Sequence, residues 1–161
     1  SPDGNAFHTG IVTATSVTGV GTVTSVTASG IDLSGLLREG VKITAGKLSD
    51  NLNIDLENGM IHLFTTQETA TSTPNIRFSS SVTLNDVMQI GETVSITIIT
   101  TAASGAYSAQ LTIDGAAVTE NWVGGSAPSD GGTSGVDMYS YTIIKTASAT
   151  FTVIGNQSKT S

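Results

Sequence analysis

The 161-residue chain has no cysteine, which excludes disulfide cross-links and thiolate metal sites. Oxidising surroundings permit disulfides without demanding them, so the compartment stays open. Charge is scarce too. Only 12% of residues are charged, and six Lys and Arg, scattered singly, face thirteen Asp and Glu for a net charge of −7. Nucleic-acid binding by counterion release needs a basic stripe, so that partner is excluded. No apolar run is long enough to insert in a membrane as a helix, and no secretory signal pattern or polybasic run is present. One Trp, three Tyr and four Phe are the only aromatic residues.

What the chain has instead is hydroxyl. Ser and Thr together number 46, so the surface is neutral and hydroxyl-rich, as in many β-rich extracellular proteins and unlike most cytosolic enzymes. Residues 9–30 read TGIVTATSVTGVGTVTSVTASG. Thr13-Ala14-Thr15-Ser16-Val17 returns nine positions later as Thr22-Val23-Thr24-Ser25-Val26. β-branched residues favour extended backbone, and Gly19 and Gly21 supply kinks between the copies. So thin a segment cannot bury enough apolar area by itself to offset its ordering entropy. The expectation is an extended stem, residues 1–35, whose apolar positions Ile11, Val12, Val17, Val20, Val23 and Val26 assemble with copies from other chains. The chain starts at Ser1 and the repeat begins abruptly, so processing, or preferably a piece of a longer polypeptide, is expected.

From residue 36 onward the pattern predicts one antiparallel β domain. Ser34 either caps a helical turn through Leu36–Arg38, closed by Gly40, or opens a strand. Val41–Thr44 alternates and reads as strand. Leu52, Ile54 and Leu56 alternate with polar neighbours, and Asn58-Gly59 predicts a hairpin into Met60–Phe64. Pro74 opens Asn75–Phe78, after the polar loop 65–73. Thr83 is a candidate N-cap for a helix of about two turns over 83–89. Glu92–Thr101 is the most hydrophobic strand and is expected at the centre of a sheet. Asp114-Gly115 predicts a second hairpin, a glycine-rich loop occupies 129–135, and strands 138–144 and 150–154 close the chain. The fold class expected is all-β, an antiparallel β-sandwich or jelly-roll-like domain with one short helix, after the extended repeat stem.

From about Leu36 the chain resembles a domain of virion structural proteins of tailed cyanophages. The likeness rests on GVKITAGKLSDNLNIDLENGMIHLFTT, ETVSITII, LTIDGAAVTENWVGGSAPS and DMYSYTIIKTASATFTVIGNQ, in that order. Trp122-Val123-Gly124-Gly125-Ser126-Ala127-Pro128 is the most specific piece, and the match covers roughly three-quarters of the chain. Repeats of the GIVTATSVTGVGTVTSV kind occur in fibre-like proteins of these phages. The resemblance implies a tail-fibre, baseplate-appendage or other component of the extracellular particle. It brings no catalytic motif.

Trp122 has two readings. As the single Trp of a chain poor in aromatics it plugs the end of a β core, with Gly124, Gly125 and Pro128 shaping the corner. Exposed, it stacks on a sugar ring, with Tyr107 and Tyr139 as further platforms and loops 65–73 and 124–135 as the contact surface. Asp50, Asn51, Asn53, Asp55, Glu57 and Asn58 form an oxygen-rich patch that suggests calcium. Strand alternation spreads those side chains along one face, however, where calcium needs them gathered by a curved loop. A solvated or subunit-facing strand face is the preferred account. His8 and His62 are the only histidines, and no GxSxG elbow accompanies them. Thr13/Thr15 and Thr22/Thr24 are too few for an ice-binding solenoid. The glycines at 124–125 and 131–132 lack phosphate-loop spacing. No catalytic residue, metal site or cofactor is assigned.

The expected function is structural: a virion appendage protein, homo-oligomeric and three-fold by analogy with fibre proteins, contacting other virion proteins and the host surface polysaccharide. The alternatives are a carbohydrate-binding host-recognition module, or a bacterial surface or filament subunit that donates a strand. An enzyme is the weakest candidate.

Overall fold

The computed structural model describes residues 34–161, so the repeat and its assembly positions lie outside the described residues. The compact unit runs from Leu37 to Ser161. Its strands are β1 (Val41–Thr44), β2 (Asn53–Asp55), β3 (Ile61–Gln67), β4 (Asn75–Arg77), β5 (Thr93–Thr101), β6 (Thr112–Ile113), β7 (Ala116–Ala117), β8 (Glu120–Trp122), β9 (Val136–Ala147) and β10 (Thr150–Lys159), with one helical turn, α1 (Leu84–Val87). They make a six-stranded sheet in the order β1-β3-β5-β9-β10-β8 and a four-stranded sheet in the order β2-β4-β6-β7.

The all-β expectation, with two sheets and one short helix, is what the structure shows. The pairing is mixed and not antiparallel throughout. From β1 to β6 the chain alternates between the sheets, so β1, β3 and β5 stack in parallel in one and β2, β4 and β6 in the other. Antiparallel pairing enters with β5–β9, β9–β10 and the β6–β7 hairpin. The first half is therefore a short two-sheet coil, the second an antiparallel closure along one sheet. Alternating hydrophobicity identifies a strand that is half buried but not its partner, and parallel stacking needs only a connection long enough to cross to the other sheet and back.

Stacking in register brings like side chains together. Ile54, Ile76 and Ile113 are Cα partners in successive turns, all fully buried, and they meet Ile96, Ile98, Tyr139, Tyr141, Ile143 and Val153 of the larger sheet in one core. One position earlier, Asn53, Asn75 and Thr112 form a polar ladder. Asn75 Nδ2 donates to Asn53 Oδ1 at 2.9 Å, and Thr112 Oγ1 donates to Asn75 Oδ1 at 3.0 Å. One position later, the Arg77 guanidinium grips both oxygens of Asp55.

Asn58-Gly59 is not a hairpin. Residues 56–58 form a single 3₁₀ turn, and Gly59, at φ 116° and ψ 169°, passes the chain from the smaller sheet to the larger. Glycine is needed for that backbone, but a positive φ does not say which sheet follows. Asp114-Gly115 does turn a hairpin, both residues having positive φ. Residues 34–40 form neither helix nor strand. Thr83 caps α1, its Oγ1 accepting from Asp86 N–H at 3.0 Å, but the helix is one turn long rather than two. The Asp114 carboxylate also accepts from the Leu84 and Asn85 amides, at 2.7 and 3.0 Å, so the hairpin holds the helix.

Among the described residues three charged side chains are buried, each partnered by backbone. Lys145 Nζ donates to the Asn85 and Met88 carbonyls, Glu68 accepts from the Leu48 and Ser49 amides, and both Asp137 oxygens accept from Gly132 N–H. Each pins a loop onto a strand end.

Truncating Ile76→Ala in the middle of the isoleucine ladder should cost about 2–5 kcal/mol, the range for deleting a fully buried aliphatic side chain. Equilibrium urea unfolding measures it. A loss below about 1 kcal/mol would mean that the two sheets are not held by that ladder.

Candidate functional site

β8 is an edge strand lying parallel to β10, with Glu120 opposite Val153 and Trp122 opposite Gly155. Strand alternation turns Glu120 and Trp122 to the inner side of the sheet and Asn121 outward, where its Nδ2 donates to Val153 O at 3.0 Å. Gly155 makes room for the indole: a Cβ there would sit 3.0 Å from the Trp122 ring. Tyr141 meets the same ring edge-on, with centroids 6.0 Å apart and planes at 68°, a favourable aromatic geometry.

The indole is therefore half buried. The rest of it lines a cleft of about 400 Å³ together with Tyr107, Glu120, Gln110, Thr71, Ser72, Thr73, Ala109 and Ala127. Backbone geometry fixes the walls. After Trp122 the chain reverses through Gly124 and Gly125, at φ 88° and 83°, and Gly125 N–H returns to Trp122 O at 2.9 Å. The segment after β3 is stitched to the Tyr107 segment by Ser72 N–H to Tyr107 O at 3.0 Å and by the Ser72 and Ser108 hydroxyls at 2.7 Å. Glu120 Oε1 accepts from Leu111 N–H at 2.6 Å, which ties β8 to the wall carrying Ala109 and Gln110.

The cleft thus unites Tyr107 and Trp122, as well as residues from both expected contact loops. Tyr139 is not there. It is 1% exposed, and its hydroxyl accepts from Ser108 N–H at 3.2 Å and meets Gln157 Nε2 at 3.1 Å. The inward parity of β9 puts it under the sheet, so it is a core residue and not a stacking platform. Gln110 and Glu120 were missed by sequence reasoning. Glu120 shares the parity of Trp122 two residues on, and that was the available signal; Gln110 gave none. Chemically, the lining pairs two aromatic rings with a carboxylate, a carboxamide and three hydroxyls.

Three residues of the oxygen-rich patch face protein donors: Asp55 holds Arg77, Asn53 accepts from Asn75, and Lys47 lies 3.2 Å from Asp50. Among the described residues no group of three or more His, Asp or Glu is placed to hold a metal ion. His62 is 4% exposed, its Nε2–H donates to Gly59 O at 3.0 Å, and burial pushes its pKa below the ordinary value. It is a satisfied core histidine. His8 lies outside the described residues. No family model matches the chain, and no curated protein or solved structure matches it either.

Beside the cleft, burial pushes the Tyr139 phenol up to about 12 and raises that of Tyr141 as well. A folded-state pKa above the free value of about 10 means that the fold favours the neutral phenol. That stability is fully present below pH ~10 and is lost as pH rises through the folded value. Spectrophotometric titration of the native chain should show Tyr139 ionising near pH 12, a fraction absent in Tyr139→Phe. Ionisation of Tyr139 near pH 10, with the fold intact, would contradict this burial.

Proposed function

We propose that this chain is a structural module of a phage virion appendage, of the tail-fibre kind, assembled as a homo-oligomer on the extracellular particle and acting without catalysis. One observation carries the reading. Among the described residues β1 and β2, the first strands of the two sheets, each pair on one side only, and in sequence the Thr/Val repeat, ending at Gly30, precedes them both. An unpaired strand edge is a template for another strand, and a repeat too thin to fold alone needs partners from outside itself. The resemblance to cyanophage virion proteins supports the same reading, and fibre proteins by analogy suggest three copies.

Sedimentation equilibrium of the full chain is expected to give the mass of three copies. Val17→Asp combined with Val23→Asp, which places charge at the assembly positions, is expected to lower it. A single-chain mass at every accessible concentration would defeat the reading.

A second reading, a carbohydrate-recognition role, is favoured by the aromatic cleft. Rings supply stacking area, and the carboxylate, amide and hydroxyls match a polyhydroxylated ligand. Trp122→Ala should abolish binding to a host-polysaccharide array while leaving the circular dichroism spectrum unchanged. Equal binding by the variant, or none by the parent chain, would remove the cleft from consideration.

A further inference from the structure

Among the described residues, the solvent side of the six-stranded sheet carries no charge. Every outward position of its paired strands is Val, Ile, Leu, Met, Thr, Ser, Asn or Gln, although the chain as a whole has thirteen acidic and six basic residues. The apolar members are also aligned. Ile43, Leu63, Ile99 and Met138 are successive Cα partners across β1, β3, β5 and β9, with Ile43 63% and Met138 37% exposed. Single exposed aliphatics need no explanation, but a continuous row across four strands marks an interaction surface.

We propose that this face is a self-association surface and that its occupant is a second copy of this chain. The proposal rests on the homo-oligomeric reading above and not on placement in a virion. Charge selects the occupant. With a net charge of −7, two copies repel one another wherever acidic faces meet, and this face is where they meet without that penalty. Its hydroxyls and amides both donate and accept, so the surface is complementary to itself and offers no lone charge for an oppositely charged partner. Size is sufficient. Six strands ~4.8 Å apart, from about 10 Å long in β8 to about 40 Å in β9, present upwards of roughly 500 Å² in projection. Side-chain relief raises the accessible area toward the ~600 Å² per partner at which specific interfaces begin.

The absence of cysteine makes a clean test. In the full chain, Met138→Cys places one thiol on the aligned row, and Ser148→Cys places one at the exposed β9–β10 turn as a reference. Maleimide labelling rates and sedimentation mass are measured on the same samples. The expected result is a multi-chain mass with Met138→Cys labelling about tenfold or more slower than Ser148→Cys, as protection in an associated state requires. Adding Leu63→Lys and Ile99→Lys should restore the reference rate, with circular dichroism showing that the fold survives. A multi-chain mass with fast labelling leaves the homo-oligomer standing and overturns this face as its interface. Slow labelling that the two lysines fail to relieve in a folded variant overturns it too. A single-chain mass overturns both readings, and slow labelling there would assign the cover to a segment of the same chain.

Discussion

Stacking like upon like is the constraint from which this structure follows. A strand of two or three residues, such as β2, β4 or β6, has too little area to hold a place in a sheet alone. Each turn of the coil instead delivers a polar residue followed by isoleucine, so isoleucine lands on isoleucine inside and Asn53, Asn75 and Thr112 line up outside. The inner row supplies apolar burial. The outer row returns hydrogen bonds between side chains that would otherwise only be hydrated. A shift of one position would send every isoleucine to solvent and every asparagine to the core. The register of the smaller sheet is thereby fixed by its two faces together.

The larger sheet answers with different means. Its long antiparallel pair, β9 and β10, follows a bulge near Thr150 and Phe151 and carries the two buried tyrosines. The buried Lys145, Glu68 and Asp137 meet backbone carbonyls and amides in place of opposite charges. Such contacts are strong because one partner is ionised, and removing the partner would leave a charge stranded in the interior. Their position at strand ends and loops explains how a chain so rich in Ser, Thr and Gly keeps irregular segments in place. The same logic frames the cleft: Glu120 reaches a backbone amide, and the walls around Trp122 and Tyr107 are set by main-chain bonds more than by packing.

Strand positions were legible in the sequence where alternation was clean. Ile54, Ile96, Ile98 and Ile143 all face inward as the period of two requires. The centrality of β5 followed from its hydrophobicity, and the Thr83 cap and the Asp114-Gly115 hairpin followed from turn chemistry. Partnering was not legible. Asn58-Gly59 carries a strong hairpin signature, yet Gly59 uses its freedom to cross between sheets, because the next segment's apolar face is wanted in the other layer. The repeating Asn-Ile pair at 53–54 and 75–76 was on view as a clue to stacked turns, but spacings of 22 and then 37 residues between equivalent rungs disguise it. For the site, aromatic scarcity pointed to Trp122 and Tyr107. The parity of β9 then separates them from Tyr139, a distinction that needs the register of a sheet and not its composition.

The uneven spacing of the rungs has a consequence of its own. In the larger sheet Ile61 follows Val41 by 20 positions, whereas Thr97 follows Ile61 by 36, and the ladder does not notice. The surplus is gathered at one corner between β4 and β5, where α1 sits under the hold of Asp114 and Lys145. A scaffold that absorbs such a detour without slipping has a natural grafting point. Foreign sequence inserted there would project from the rim while the rungs on either side kept their appointments, so diversification of this architecture would be channelled to that corner first.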